Sequence, residues 1–446
     1  MKDEKNNIKK QTNKLTILQI VFFICSNMIG SGLLNLPCLL GSIGSISIIS
    51  CLVTGLGSLS LAFVFIEIAN RLEKNEEQSL FNLMQWNKYS PEGTNTALFG
   101  LAFYVIGLFI GNTSFFFLIK RNFMVLFGYE IANWITFFIF LAINFVYFFK
   151  ENYITEIFPM ISLTIKSFIL GSALFMIFFK EIAIFEIFNE ERFNLTGLDN
   201  YSAFLKGSAT CVFAFLGLES GLSLSKNAES KESLNSALKY GVIITSLFSS
   251  FLVTLMFSYF TGQELALSSN PYADLLGGLG KYLIIVASIT TGITSLSAWM
   301  LICNIQMKSI DHYSKININN HNEHFFKIFT SITHFLIFLF TIGINEIKDI
   351  NNTLTNVYLC ASSGYLVCYF LCLFNHIYNT VRDFQQNQFR ISSVISGLAS
   401  TCFIYGIASG INNLIYIYMI YIFLIFFFYF LFNVCKNYFV TNKILF

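Results

Sequence analysis

The sequence predicts an all-α polytopic membrane protein with about 12 transmembrane helices. Three observations lead there. Hydrophobic residues make up 55% of the 446 and charged residues only 12%, about half the charged share of a soluble chain. Apolar runs of about 20 residues, the length that crosses a hydrocarbon core, recur from end to end. The connections between them are short, leaving no soluble domain of useful size. Four prolines, 53 phenylalanines and a mean hydropathy of +0.64 agree with long apolar helices and few turns. The ten cysteines lie scattered in apolar runs (Cys25, Cys51, Cys211, Cys303, Cys368). Without a CxxC pair or metal spacing they read as small apolar residues, so neither metal nor cofactor is expected. A net charge of +2 with no basic stripe argues against nucleic acid as a partner. Abundant Ile, Phe, Asn and Lys hint at an AT-rich bacterial source and so at a bacterial inner (plasma) membrane.

Taken in order, residues 1–15 form a tail too polar for a signal peptide. Spans are expected near 16–42, 45–70, 96–127, 130–149, 153–179, 202–225, 237–261, 275–306, 326–345, 354–377, 390–411 and 413–435. The largest connections are 71–95, 180–201 and 307–325. Alternating the spans from an inner N-terminus puts 19 of the 27 Lys and Arg inside and seven outside, with Lys166 left within a helix. The positive-inside rule then places both termini in the cytoplasm. Lys120 and Arg121 sit near an outer end and are expected to snorkel. Glu67 lies near an inner end, where it would tie loops together or gate. Asp274 is expected to cap a helix starting near Pro271. The glycine-rich stretch Gly277–Lys281 lacks the Ser/Thr and the strand of a phosphate loop. His312, His321 and His324 share one polar loop and do not make a convincing ligand set.

Two spans carry glycine at mid-membrane depth. The first reads Ser26-Asn27-Met28-Ile29-Gly30-Ser31-Gly32-Leu33, the sixth Phe213-Ala214-Phe215-Leu216-Gly217-Leu218-Glu219. Small residues in a membrane helix often mean close packing, as expected at Gly55, Gly57, Ser58 and Ser60. Two interruptions five helices apart favour a binding site between inverted halves instead. Breaking a helix in lipid frees backbone N–H and C=O groups, which is tolerable only where they line a cavity. The half-helix after Gly30 aims free N–H groups and a positive dipole end at that cavity, suiting a carboxylate. The half-helix ending at Leu216 offers carbonyls to an ammonium. An α-amino acid carries both groups.

At these residues the chain resembles the amino acid–polyamine–organocation (APC) permeases, especially the arginine–agmatine antiporter subgroup. The stretch Asn27–Leu36 followed by Leu61–Arg71 (LAFVFIEIANR) is similar to that family's opening helix pair. The likeness runs over nearly the whole chain, strongest in spans one, two, six and eight and weak after about residue 309. It implies a leucine-transporter-like fold: a five-plus-five inverted repeat plus two C-terminal helices. The division would be 1–15 tail, 16–179 first repeat, 180–201 extracytoplasmic connection, 202–377 second repeat, and 378–446 the last two helices and cytoplasmic C-terminus. It implies a substrate site of Asn27, Ile29, Gly30, Ser31, Gly32, Asn112, Phe213, Phe215, Leu216 and Trp299. Ser31 and Gly32 would hold a carboxylate, Leu216 would offer a carbonyl, Phe213 would stand where the subgroup has a gating tryptophan, and Glu219 would serve gating or proton coupling. A dimer or a monomer fits the family. The family's PGG-and-tyrosine motif after span two is absent; the loop reads Lys74-Asn75-Glu76-Glu77-Gln78-Ser79. The proline-bearing loop after span eight is replaced by Asn317–His324.

Lys166 is the only cation that far from a predicted span end. An ionisable group there costs about 2.5–3.5 kcal/mol on insertion scales, which makes it a functional candidate. Its position resembles the span-five lysine of proton-coupled APC members; a satisfied, snorkelling lysine is the bland alternative. The expected function is an amino acid or amine permease working by proton symport or exchange in the lipid bilayer, not an enzyme. A sodium-coupled carrier of another solute on the same fold and a non-transporting amino acid sensor remain the alternatives.

Overall fold

A computed structural model describes residues 14–72, 79–128, 188–314, 323–345, 350–386 and 390–411, with isolated positions within 135–171 and 414–425. The longer helices are α1 (Ile17–Met28), α2 (Ser31–Gly41), α3 (Ile46–Arg71), α4 (Pro91–Phe127), α5 (Asn200–Phe215), α6 (Lys231–Tyr259), α7 (Gly278–Ser314), α8 (Glu323–Asn345), α9 (Ile350–Gln385) and α10 (Ile391–Gly410). A 3₁₀ helix covers Leu218–Asn227. Among the described residues, eight stretches are long and apolar enough to cross a membrane, α1 with α2 and α5 with the 3₁₀ helix each counting once. The chain is an all-α, multi-pass membrane protein. The expected spans 130–149, 153–179 and most of 413–435 lie outside the described residues, and Lys166 lies outside them too.

Several helices outrun the apolar stretches that predicted them, because hydropathy marks the hydrocarbon crossing and not the helix end. Helix α4 starts five residues early: the Ser90 hydroxyl accepts from Gly93 N–H at 3.0 Å and Pro91 follows as the first helical residue, where its missing N–H costs nothing. Helix α7 continues through the polar turns to Ser314. The short helix Pro271–Leu276 is capped by Asn270, whose side chain accepts from Ala273 N–H at 3.1 Å. Asp274 is therefore not the cap; it stands inside that helix and accepts from the Ser268 hydroxyl at 2.6 Å. The cap must precede the proline, so the position falls to Asn270.

Arg121 does not snorkel either. It is 4% exposed, and its guanidinium donates to Asn35 Oδ1 at 3.3 Å and to the Ser268 carbonyl at 2.6 Å. Internal acceptors replace the water that a snorkelling side chain would seek. Within α2, Pro37 supplies no N–H to the Leu33 carbonyl one turn back. The Tyr272 hydroxyl approaches that carbonyl at 3.5 Å and takes the donor's place.

Helix α4 packs along both α7 and α9, while α3 packs against α5, α6 and α10. The first and sixth spans lie side by side in opposite directions. At one face Leu15, entering span one, pairs with Ala228, leaving span six, and Glu229 N–H donates to the Leu15 carbonyl at 3.2 Å. At the other face Ser45 N–H donates to Arg192 O at 3.1 Å and Leu195 N–H to Ile43 O at 2.9 Å. The end of span one therefore meets the approach to span six.

Candidate functional site

Both glycine-bearing spans break at mid-length, and the breaks touch. Helix α1 ends at Met28. Ile29 turns out of the helix with φ −83° and ψ 71°, Gly30 follows with φ −114° and ψ −148°, and α2 begins at Ser31. Helix α5 ends at Phe215; Leu216 is extended, and Gly217 has a φ of +103°. That left-handed conformation costs an L-residue about 1–2 kcal/mol and suits glycine. A Cβ placed on Gly217 would lie 3.4 Å from Trp299 Cζ2 and 3.5 Å from the Asn27 carbonyl carbon. The second half of span six continues as a ten-residue 3₁₀ helix instead of an α-helix, longer than the usual three or four residues.

The breaks leave backbone groups without helical partners midway along each span. The first N–H groups of α2 have no partners within their own helix. The indole N–H of Trp299 donates to the Asn27 carbonyl at 3.4 Å, taking up one orphan acceptor at the end of α1. Leu216 N–H turns back to the Phe213 carbonyl at 3.4 Å. Between them lies a narrow hollow of about 10 Å³, room for about one water molecule, lined by Asn27, Met28, Gly30, Gly32, Gly111, Phe115, Phe213 and Trp299. Both polar atoms of the Asn27 side chain are buried without a hydrogen-bond partner, as are Ser295 Oγ and Thr291 Oγ1. Of these, Asn27 stands on the wall of the hollow, where a bound polar group would supply the partner that a buried amide ordinarily has. Ser295 Oγ lies 3.6 Å from where a Gly30 Cβ would stand. No acidic side chain is among the cavity's lining residues. A positive group placed there would meet the peptide carbonyls at the end of α5 and the rings of Phe115, Phe213 and Trp299, through cation–π attraction.

The predicted residues divide. Asn27, Gly30, Gly32, Phe213 and Trp299 come together on the cavity wall. Ile29 and Leu216 form the turns at the two breaks, and Ser31 opens α2. Phe215 does not join them: its ring faces α3, 3.4 Å from a Cβ built on Gly55. Asn112 is fully buried but engaged elsewhere. Its amide nitrogen donates to His334 Nε2 on α8, and the His334 Nδ1–H donates to the Thr330 carbonyl at 2.8 Å. Its neighbour Gly111 meets the cavity instead, 3.4 Å from Phe213 Cε2 measured from a built Cβ. Lys166 lies outside the described residues.

Sequence reasoning missed the aromatic face of α9. Tyr358, Tyr365 and Tyr369 recur at helical spacing and are fully or almost fully buried. Tyr358 stacks on Phe213 with centroids 3.9 Å apart and planes 17° from parallel. Its hydroxyl accepts from Asn35 Nδ2 at 3.1 Å, and Asn35 accepts from Arg121, so the stack is tied to the last turns of α4. On the other side of the cavity Glu219 is 2% exposed. Tyr104 donates to its Oε1 at 2.9 Å and Tyr369 to its Oε2 at 2.8 Å. Tyr365 packs edge-on to Tyr104 at 4.8 Å and lies 6.0 Å from Trp299, linking this cluster to the cavity wall.

No family model matches the chain. A stretch of 57 residues is 44% identical to the putrescine transporter PotE of Haemophilus influenzae, and a stretch of 55 residues is 46% identical to that of Escherichia coli. These matches cover 13% and 12% of this chain and the same shares of the two relatives. The chain is thus similar to these putrescine transporters over about an eighth of their length.

Proposed function

We propose that this chain is a secondary carrier that moves amino acids or related amines across the membrane by proton symport or exchange. The observation that carries this reading is the meeting of two broken, oppositely directed spans at one cavity. Four helix ends converge there, and unpaired backbone in a membrane interior is tolerated only where it lines a cavity. The antiparallel course of spans one and six fits a five-plus-five inverted repeat. The cavity has an aromatic layer on each side: Phe213 on Tyr358 towards one face, and Glu219 with its tyrosines towards the other. Alternating access would open one layer at a time. The charge bias favours cytoplasmic termini, and with them a cytoplasmic Glu219 side.

Substrate chemistry follows from the donors. An ammonium group is served by the carbonyls at the end of α5 and the surrounding rings, a carboxylate by the N–H groups of α2. A diamine would use the first half-site and an amino acid both. The relatives' name weighs toward the diamine. Lys166, on the resemblance, would bind the first and eighth spans together when protonated and release them on proton loss.

The test is uptake of labelled putrescine, ornithine, arginine and alanine by reconstituted protein, with and without an imposed pH gradient, in wild type and Lys166→Ala. At least one compound is expected to accumulate, driven by the gradient. The variant is expected to lose the gradient-driven part while keeping exchange. Binding without uptake of any compound would favour a sensor. Sodium-driven uptake indifferent to pH would favour the sodium-coupled reading.

A further inference from the structure

A second, larger cavity lies away from the helix breaks and shares no lining residue with them. Its volume is about 300 Å³, within the range that holds small ligands. It opens between the end of α3, the connection after the short helix Leu80–Met84, and the last turns of α9. This is the face where Leu15 meets Ala228, because Lys231, just beyond that pair, donates to the Leu72 carbonyl at 2.8 Å.

Three cations line it: Arg71, Lys88 and Arg382. Arg71 is held in place, with Nη2 2.9 Å from Asp383 Oδ2. Its other terminal nitrogen, Nη1, is buried and has no hydrogen-bond partner. Arg382 makes no ion pair among the described residues and is exposed to the cavity mouth. Asp383 is the ion-pair partner of Arg71.

The amides around the cations are already engaged. Asn375 Nδ2 donates to the Leu83 carbonyl at 2.8 Å, Asn379 Nδ2 to Asn375 Oδ1 at 2.6 Å, and Gln85 Nε2 to Thr94 Oγ1 at 2.9 Å. They fix the wall, and recognition falls to the cations. Guanidinium groups match the several acceptor oxygens of a phosphate by paired N–H donors. The rim is aromatic. Trp86 packs edge-on to Tyr378 at 5.4 Å and to Phe374 at 6.1 Å, and Tyr89 is 90% exposed. Tryptophan and tyrosine gather where a membrane protein meets the headgroup layer, and basic pockets there take phosphate headgroups.

We propose that this cavity binds a phosphate group, carried by an anionic phospholipid of the adjoining leaflet. The proposal is independent of the transport reading. Its test is native mass spectrometry of the full chain released from nanodiscs of phosphatidylcholine containing phosphatidylglycerol. Wild type is expected to retain one phosphatidylglycerol. The Lys88→Gln/Arg382→Gln variant is expected to lose retention at least tenfold, and the Lys88→Arg/Arg382→Lys variant to keep it. Lys281→Gln, far from this cavity in sequence and absent from its wall, is expected to retain the lipid as wild type does. Displacement by millimolar inorganic phosphate would support the site and assign it to soluble phosphate. Equal retention by wild type and the double Gln variant, or no retention by a wild type that also fails to bind inorganic phosphate, would overturn the proposal.

Discussion

Glu219 is the residue whose environment most constrains its chemistry. Its carboxylate accepts from two phenols on two different helices, Tyr104 on α4 and Tyr369 on α9. Hydrogen bonds to a charged group are worth about 1.5–3 kcal/mol each, more than those between neutral partners. Adding a proton to either oxygen would turn an acceptor into a donor facing a phenol that already donates. The Tyr104 and Tyr369 hydroxyls would then have to rotate or part, which loosens the contact between the two helices. Glu219→Gln keeps the shape and removes the titration. The variant is expected to show uptake that depends less on pH than that of wild type. Superimposable pH profiles of wild type and variant would remove Glu219 from the coupling. Asn112 shows why residue roles read from a linear sequence slip. Its neighbour Gly111 lines the cavity, yet the Asn112 amide nitrogen is engaged by His334, 222 positions away. No local pattern announces a partner at that distance.

At the scale of elements, the helix breaks were legible because their cause is local. Gly30 ends one helix and starts another within three residues, and Gly217 adopts a backbone angle that its own lack of a side chain permits. Helix ends set by caps outside the apolar runs, such as Ser90 before Pro91, shifted by several residues for an equally local reason that hydropathy does not read. The aromatic face of α9 was present in the spacing of Tyr358, Tyr365 and Tyr369. It gained meaning only once packing set it against Phe213 and Glu219. The 3₁₀ course after Gly217 was not legible, since nothing in Leu218–Asn227 distinguishes 3.0 from 3.6 residues per turn. Gly217 gives the element-scale prediction. Gly217→Ala would hold an L-residue in the left-handed region, at a cost of about 1–2 kcal/mol. Its new methyl would meet Trp299 and Asn27 at ordinary contact distances of 3.4 and 3.5 Å, so the cost lies in the backbone. The variant is expected to unfold at a lower temperature in detergent and to transport more slowly. An unchanged unfolding midpoint would mean that the break does not depend on this backbone angle.

Over the whole molecule, composition and charge settle the class: an all-helical chain that crosses the membrane many times. The antiparallel contact of spans one and six, fixed at both faces by backbone hydrogen bonds, brings the two breaks to the same depth. Neither break alone would make a site, because each leaves only one kind of unpaired backbone group. The second cavity, by the cationic ends of α3 and α9, lies apart from this arrangement. The arrangement makes Gly32 a sensitive position, because a Cβ there would stand 2.9 Å from Phe213 Cδ1 and 3.2 Å from the Phe213 carbonyl oxygen. Equilibrium binding of labelled putrescine and labelled ornithine to purified wild type and Gly32→Val tests the central claim most directly. Wild type is expected to bind at least one of the two, and the variant, eluting as the same single species, to bind it at least tenfold more weakly, about 1.4 kcal/mol. Equal affinity in the two proteins would contradict the claim that the paired helix breaks hold the substrate.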